Sequence, residues 1–174
     1  PALFDAMMPI FYPGNVQEIL DLGRYAYEMS RYSGLWSGFK IVTDIADAFG
    51  SAIVHPERIN INIPDFQYNG QPWKHTQNAK LVGHHSLPTE KEIHLGRIEA
   101  AKHFLAFNNI NKITVQSDKD SIGIITAGKT YYDLVEALDS LGWDEAFLNE
   151  KGIRILKLGA TFPVDGKTIK QFSE

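Results

Sequence analysis

No cysteine occurs in the 174 residues, so thiolate nucleophiles, Cys-ligated zinc and iron–sulfur clusters are excluded on this chain. The same absence accords with a reducing compartment. Basic charge is also short. The 17 Lys and Arg against 21 Asp and Glu leave a net charge of −4, which offers no cationic excess for a phosphate backbone and argues against nucleic acid as a partner. No uncharged apolar run approaches the ~20 residues of a membrane span. Residues 1–12 carry no basic segment ahead of their apolar residues, so they do not read as a secretory signal. They also lack an initiator Met and enter at once into a core-like stretch, which leads us to expect a chain cut from something longer. What is present is the composition of a globular protein, with 44% hydrophobic residues, 14 Gly and 8 Pro. At this length the chain forms one medium domain or two small ones, and its core needs no disulfide or structural metal.

Residues 7–12 form a short apolar run closed by Pro13 and Gly14, the pattern of a strand ending in a turn. Asn15 and Glu18 have capping-box spacing and predict a helix from there to about Arg31, ended by Gly34. Val16, Ile19, Leu20, Gly23 and Tyr27 fall on one stripe and are expected to be its buried face. Residues 35–42 read as a second strand covered on both faces. The three elements make a parallel βαβ unit, expected to be right-handed. Residues 59–63 alternate Ile and Asn, which predicts a half-exposed strand.

From residue 64 to residue 88 no period survives, and the stretch reads as a long connection ordered by Phe66, Tyr68 and Trp73 lying on a surface. Thr89 and Glu92 repeat the capping-box spacing. The helix they predict runs to about Phe107, with Ile93, Ala100, Ala101, Phe104 and Phe107 facing inward. Residues 113–115 and 122–126 are strand runs separated by a charged turn at residues 117–120. Gly128 then opens a helix with Tyr131, Leu134, Val135, Leu138 and Leu141 on one face and Gly142 as its stop. Residues 153–158 form a further strand, and Pro163 closes the segment after it. The order strand, helix, strand predicts a second α/β unit with a parallel pair, so the fold class is α/β with two βαβ-type segments.

The sharpest short motif is GIITAGKT at residues 123–130, which satisfies the P-loop pattern. A P-loop needs its strand to end before the first Gly, so that the following backbone N–H groups can wrap phosphate. Here Ile124 and Ile125 follow that Gly and read as the strand itself, so the nucleotide-binding context fails. Gly128, Lys129 and Thr130 remain as a weak anion site at a helix N-terminus. The simpler reading is a tight turn with a solvated lysine. Six histidines, at 55, 75, 84, 85, 94 and 103, lack the spacing of a metal site, and His84 and His85 would point apart in extended chain. No G-x-S-x-G elbow occurs. Thr43 and Asp44 follow a predicted parallel strand, where α/β proteins place ligands, although such a pair is more often a helix cap.

Three blocks carry a further signal. NVQEILDLGRYAYEMSRYSGLWSGFK (15–40), SIGIITAGKTYYDLVEAL (121–138) and GIRILKLGATFPVD (152–165) resemble an internal segment of the indolepyruvate ferredoxin oxidoreductase family. That family belongs to the thiamine diphosphate-dependent 2-oxoacid oxidoreductases. The blocks follow the family's order and separation over nearly the whole chain. The resemblance implies that residues 1–64 close a thiamine pyrimidine-type domain, that residues 65–111 are a connection with one helix, and that residues 112–174 are a transketolase C-terminal-like domain.

The activity so implied is oxidative decarboxylation of an aryl 2-oxoacid to an acyl-CoA. Thiamine diphosphate, magnesium and iron–sulfur clusters would be the parent's cofactors, and coenzyme A and ferredoxin its partners. A homodimeric, cytoplasmic parent is implied as well. The chain has no Gly-Asp-Gly with a downstream Asn to hold magnesium on a diphosphate. No catalytic, cofactor-binding or metal residue therefore carries over to a numbered position, and the expected role is scaffold and interface, inactive alone. The alternative is a free-standing small-ligand or nucleotide-binding module using Gly128 to Thr130.

Overall fold

The computed structural model describes residues 2–78, 82–117 and 119–174. The expected connection at 64–88 and the expected turn at 117–120 thus lie partly outside the described residues. The chain opens with a helical turn, α1 (Ala2–Asp5), which closes through hydrogen bonds from Met7 N–H to Phe4 O and Met8 N–H to Leu3 O. Met7 is left-handed at φ 52. Residues 7 and 8 therefore belong to that turn, and the first strand, β1, is only Ile10–Phe11. Helix α2 (Val16–Ser33) begins at Asn15, whose Oδ1 accepts the Glu18 N–H at 2.8 Å, and ends at left-handed Gly34. Glu18 reaches back one residue beyond the cap, to the Gly14 N–H at 2.9 Å.

The buried face of α2 is Leu22, Ala26, Met29 and Ser33, not the stripe the sequence suggested. Leu20 and Tyr27 stand exposed, and Tyr27 lines a groove with Gly23, Trp36 and Phe39. Strand β2 (Gly38–Phe39) runs parallel to β1, as the βαβ reading requires. It is shorter than residues 35–42, with Gly38 buried and Phe39 half-buried. It lies at the edge of its sheet, and Trp36 is 80% exposed. A short helix, α3 (Thr43–Ala46), follows with Val42 as its N-cap.

Residues 59–63 do not form a strand. Asn108 takes the place of a ladder partner, accepting the Asn62 N–H and donating to the Asn62 carbonyl, both at 2.8 Å. Strands β3 (Gln67–Tyr68) and β4 (Gln71–Pro72) make a hairpin inside the stretch read as a connection. Its turn is Asn69-Gly70, with φ 52 and 73, the left-handed pair that two-residue hairpins demand. The aromatic residues do lie on a surface. Trp73 packs at a tilt on Phe66 and edge-on against Tyr68, and its Nε1 donates to the Tyr32 carbonyl at 2.9 Å.

A 3₁₀ turn (Gly83–His85) leads into α4 (Ser86–Glu92), a π-turn (Ile93–Arg97) and α5 (Ile98–Phe107). The helix starts before Thr89, because Pro88 sits in its first turn, where a missing N–H costs nothing. The Thr89 hydroxyl donates to the His85 carbonyl instead of capping. Helix α5 packs on α2 in a core of Phe11, Leu22, Met29, Ile98, Phe104 and Leu105, but Phe107 is exposed.

The second sheet comprises β5 (Asn111–Val115), β6 (Ile122–Ala127) and β7 (Ile153–Leu158) in the order β5-β7-β6. Strands β6 and β7 are parallel and connected through α6 (Lys129–Ser140) and α7 (Glu145–Glu150), and β5 is antiparallel to β7. Tyr131, Leu134 and Leu138 pack against Leu148, Ile153 and Ile155, whereas Val135 and Leu141 remain exposed. After Gly159 the strand continues as β8 (Ala160–Phe162), which pairs antiparallel with β1. One extended segment therefore crosses from the C-terminal lobe, built on β5-β7-β6, into the N-terminal lobe, built on β2-β1-β8. Helix α8 (Gly166–Ser173) ends the chain. The architecture is mixed α/β, with a parallel strand pair in each of the two three-stranded sheets. Among the described residues no helix is long and apolar enough to cross a membrane.

Candidate functional site at the seam between the sheets

The ends of β1 and β6 meet on the segment that joins β7 to β8. Tyr12 N–H donates to the Gly159 carbonyl at 2.9 Å, and Ala127 is in register with Leu158. The turns that follow the two strands are pressed together, and each is made of glycine. A Cβ on Gly14 would lie 2.3 Å from the Gly128 carbonyl oxygen, and one on Gly128 would lie 2.3 Å from the Tyr12 ring. The N-termini of α2 and α6 thus converge at the carboxyl ends of β1 and β6, the position at which α/β folds place ligands.

A charged cluster fills this seam. Lys157, in the central strand β7, is only 4% exposed, and its ammonium donates to Glu18 Oε1 and to the Tyr132 hydroxyl, the latter at 3.0 Å. The Tyr132 hydroxyl donates in turn to Glu18 Oε1 at 2.9 Å. The ammonium also sits over two rings, 4.6 Å from the centroid of Tyr131 and 4.4 Å from that of Tyr132. Burial pulls the Lys157 ammonium below the usual lysine range, and the Glu18 carboxylate opposes that shift. Burial, followed by the Glu18 charge, pushes the Tyr132 phenol well above its usual value. The two oxygens of Glu18 serve three donors, the ammonium from β7, the phenol from α6 and the Gly14 N–H from the turn before α2. These partners are engaged with one another.

The residues singled out from the sequence fall around this cluster. Gly128 (φ 57) is the turn against Tyr12. Lys129 Nζ lies 2.5 Å from Asp133 Oδ1 and 3.7 Å from Asp44 Oδ2, and the bond to Asp133 raises its pKa above the ordinary lysine value. The Thr130 hydroxyl donates to the Ala127 carbonyl at 2.6 Å. Gly123 lies inside β6, so the backbone between the two glycines of the P-loop pattern is strand. Thr43 and Asp44 open α3, and Asp44 reaches this neighbourhood through Lys129.

The histidines are dispersed. His84 and His85 do not point apart, because the 3₁₀ turn brings their rings to 4.0 Å. His75 Nε2 lies 2.9 Å from the Arg31 carbonyl, and His103 packs on Phe66. Among the described residues no group of three or more His, Cys, Asp or Glu is placed to hold a metal ion. With the seam's carboxylate already committed to Lys157 and Tyr132, the residues present do not fit magnesium and a diphosphate.

Sequence reading found Glu18 as a capping residue but missed its partners. Lys157 was nonetheless visible as a charge inside the apolar run ILKL of a central strand. Tyr132 carried no comparable signal.

Comparison with known proteins follows the same span. Residues 112–174 match the model of the indolepyruvate oxidoreductase domain. The chain is similar to proteins named indolepyruvate oxidoreductase subunit IorA, with 24% identity over 178 residues in Pyrococcus horikoshii, 28% over 170 in Pyrococcus abyssi and 25% over 168 in Archaeoglobus fulgidus. Each alignment covers 96% of this chain and 24% of the relative. The chain therefore spans about a quarter of the length of the curated relatives it matches. The family resemblance carried by the three sequence blocks holds over nearly the whole chain.

Proposed function

We propose that this chain serves as a scaffold segment within an indolepyruvate-type 2-oxoacid:ferredoxin oxidoreductase, joining the end of a thiamine pyrimidine-type domain to a transketolase C-terminal-like domain. The observation that carries this reading is the similarity to indolepyruvate oxidoreductase subunits along 96% of the chain but only a quarter of theirs. The absence of cysteine from the sequence assigns iron–sulfur chemistry to other parts of such an enzyme. Thiamine diphosphate, where bound, would act as the electron sink for decarboxylation. The contribution of these residues is to hold two α/β lobes in a fixed relation through the seam. Alone, the chain is inactive; in the assembled enzyme its partners are the remaining domains, with coenzyme A and ferredoxin serving the whole in the cytoplasm.

Intact-mass measurement of the polypeptide as the source cell expresses it, with thiamine diphosphate and iron assayed in the same preparation, tests the reading. A much longer chain carrying both is the expected result. A 174-residue chain with neither overturns it. The isolated chain should also fail to reduce a viologen dye with indolepyruvate and coenzyme A. Magnesium-dependent ATP binding that is abolished by Lys129→Ala would favour the ligand-binding module instead.

A further inference from the structure

The two lobes have separate apolar cores of unequal size. Phe11, Leu22, Met29, Phe104 and Leu105 anchor the larger, while Leu148, Ile153 and Ile155 form the smaller. The main chain passes between them at three places: Ile110–Asn111, Gly159, and residues 163–165, through which β8 leads into α8 against the C-terminal sheet. The buried Asn111 staples the first two together. Its Oδ1 accepts the N–H groups of Gly159 and Ala160, both at 2.9 Å. A joint of this kind fixes where the lobes meet. The contact between the turns at Gly14 and Gly128 and the charged cluster beside them add a restraint on the side of α2 and α6.

That cluster draws members from both sides. Glu18 belongs to α2 of the N-terminal lobe, and Lys157 and Tyr132 belong to β7 and α6 of the C-terminal lobe. Burial, and then the like charge of Lys112 on β5, disfavour the ammonium, and Glu18 opposes both. Removing one partner of a buried ion pair leaves the other uncompensated and costs far more than the pair itself contributes. Separating the lobes breaks these contacts, because Glu18 and its partners lie on opposite sides of the seam.

We propose that the ion pair between Glu18 and Lys157, with the Tyr132 hydroxyl between them, is the latch that makes the two lobes open only together. Without it the smaller C-terminal lobe opens on its own. This inference rests on the seam geometry and not on the family reading.

Pulse-labelling hydrogen exchange along a urea titration of the whole chain reads the lobes separately, through peptides from α2 and α5 on one side and from β6 and β7 on the other. The unaltered chain should lose protection in both sets at one midpoint. In Lys157→Met and in Glu18→Gln the β6 and β7 peptides should lose protection at least about 0.5 M urea earlier than those of α2 and α5. Leu148→Ala weakens the smaller lobe without touching the seam, and should shift both midpoints together. Should the first two variants fail to fold, Tyr132→Phe removes a single hydroxyl from the cluster and should produce a smaller split of the same sign. Separate midpoints in the unaltered chain, coincident midpoints in every seam variant that folds, or an equal split in Leu148→Ala would each overturn the proposal.

Discussion

Gly128 faces the ring of Tyr12 so closely that a methyl group in place of its hydrogen would lie 2.3 Å from the aromatic carbons. The residue also has φ 57 and ψ −135, a conformation that only glycine adopts without strain. Sterics and backbone preference thus act together at the point where the two sheets meet. Gly128→Ala should destabilise the chain by about 3 kcal/mol in urea unfolding. Gly23, inside α2 with nothing within 4 Å of its Cβ position, is the contrasting case. Gly23→Ala should stabilise by about 0.5–1 kcal/mol, and the opposite signs test whether the seam or helix propensity dominates.

Asn111 is 3% exposed and satisfies two backbone donors at the crossing between the lobes. Asn111→Ala leaves the N–H groups of Gly159 and Ala160 without their acceptor. The expected loss is about 3 kcal/mol, seen as a lower midpoint with an unchanged m-value. A loss below about 0.5 kcal/mol would mean that water reaches these groups.

Asp120 links a loop to the last helix. Its carboxylate accepts from the Ser117 hydroxyl and N–H at 2.8 Å and from Arg154 Nε at 2.5 Å, while Arg154 Nη1 binds the carbonyls of Gln171 and Phe172 at the end of α8. Burial tends to raise the Asp120 pKa, but the bonds from Ser117 and Arg154 outweigh it and hold the carboxyl below its ordinary value. A folded-state pKa below the unfolded one contributes stability that is present above about pH 4 and is lost as pH falls through the folded pKa. Stability measured from pH 6 down to pH 2 should therefore decline less steeply in Asp120→Asn than in the unaltered chain. Equal slopes would remove Asp120 from the acid response.

Arg97 is 8% exposed at the end of the π-turn and uses its fork fully. Nε donates to Glu92 at 2.9 Å, Nη1 to the Gly34 carbonyl at 2.9 Å, and Nη2 to the Thr76 carbonyl at 2.8 Å. Lysine keeps the charge but cannot reach three acceptors in one plane. Arg97→Lys should cost about 2 kcal/mol and raise amide exchange at residues 73–78. Unchanged exchange there would show that Trp73 alone anchors the hairpin.

Several elements were legible from local pattern. Asn15, Glu18 and Gly34 mark the ends of α2 because caps are solved within one turn of helix. Residues 153–158 match β7 residue for residue, since an apolar run between glycines has few other uses. The Asn69-Gly70 hairpin was also legible, from a dipeptide that twists two strands together, but the scarcity of periodic residues around it concealed it. Thr89 misled because Pro88 fits the first turn of a helix as well as it fits the residue before one. The stripe from Val16 to Tyr27 misled because a helix beside an open groove shows apolar residues on two faces, and hydropathy does not say which face meets the core.

By itself the sequence determined the chemistry available: no thiolate, no basic excess, two α/β units with a parallel pair in each, and glycine at the tight turns. These follow from residue type and from spacings of a few residues, where backbone sterics and periodicity act. Tertiary structure alone decided that Glu18 and Lys157, 139 positions apart, would form a buried pair at a seam between two sheets. A long-range ion pair has no local signature. Its energy exists only after the chain has brought both groups out of water and into contact.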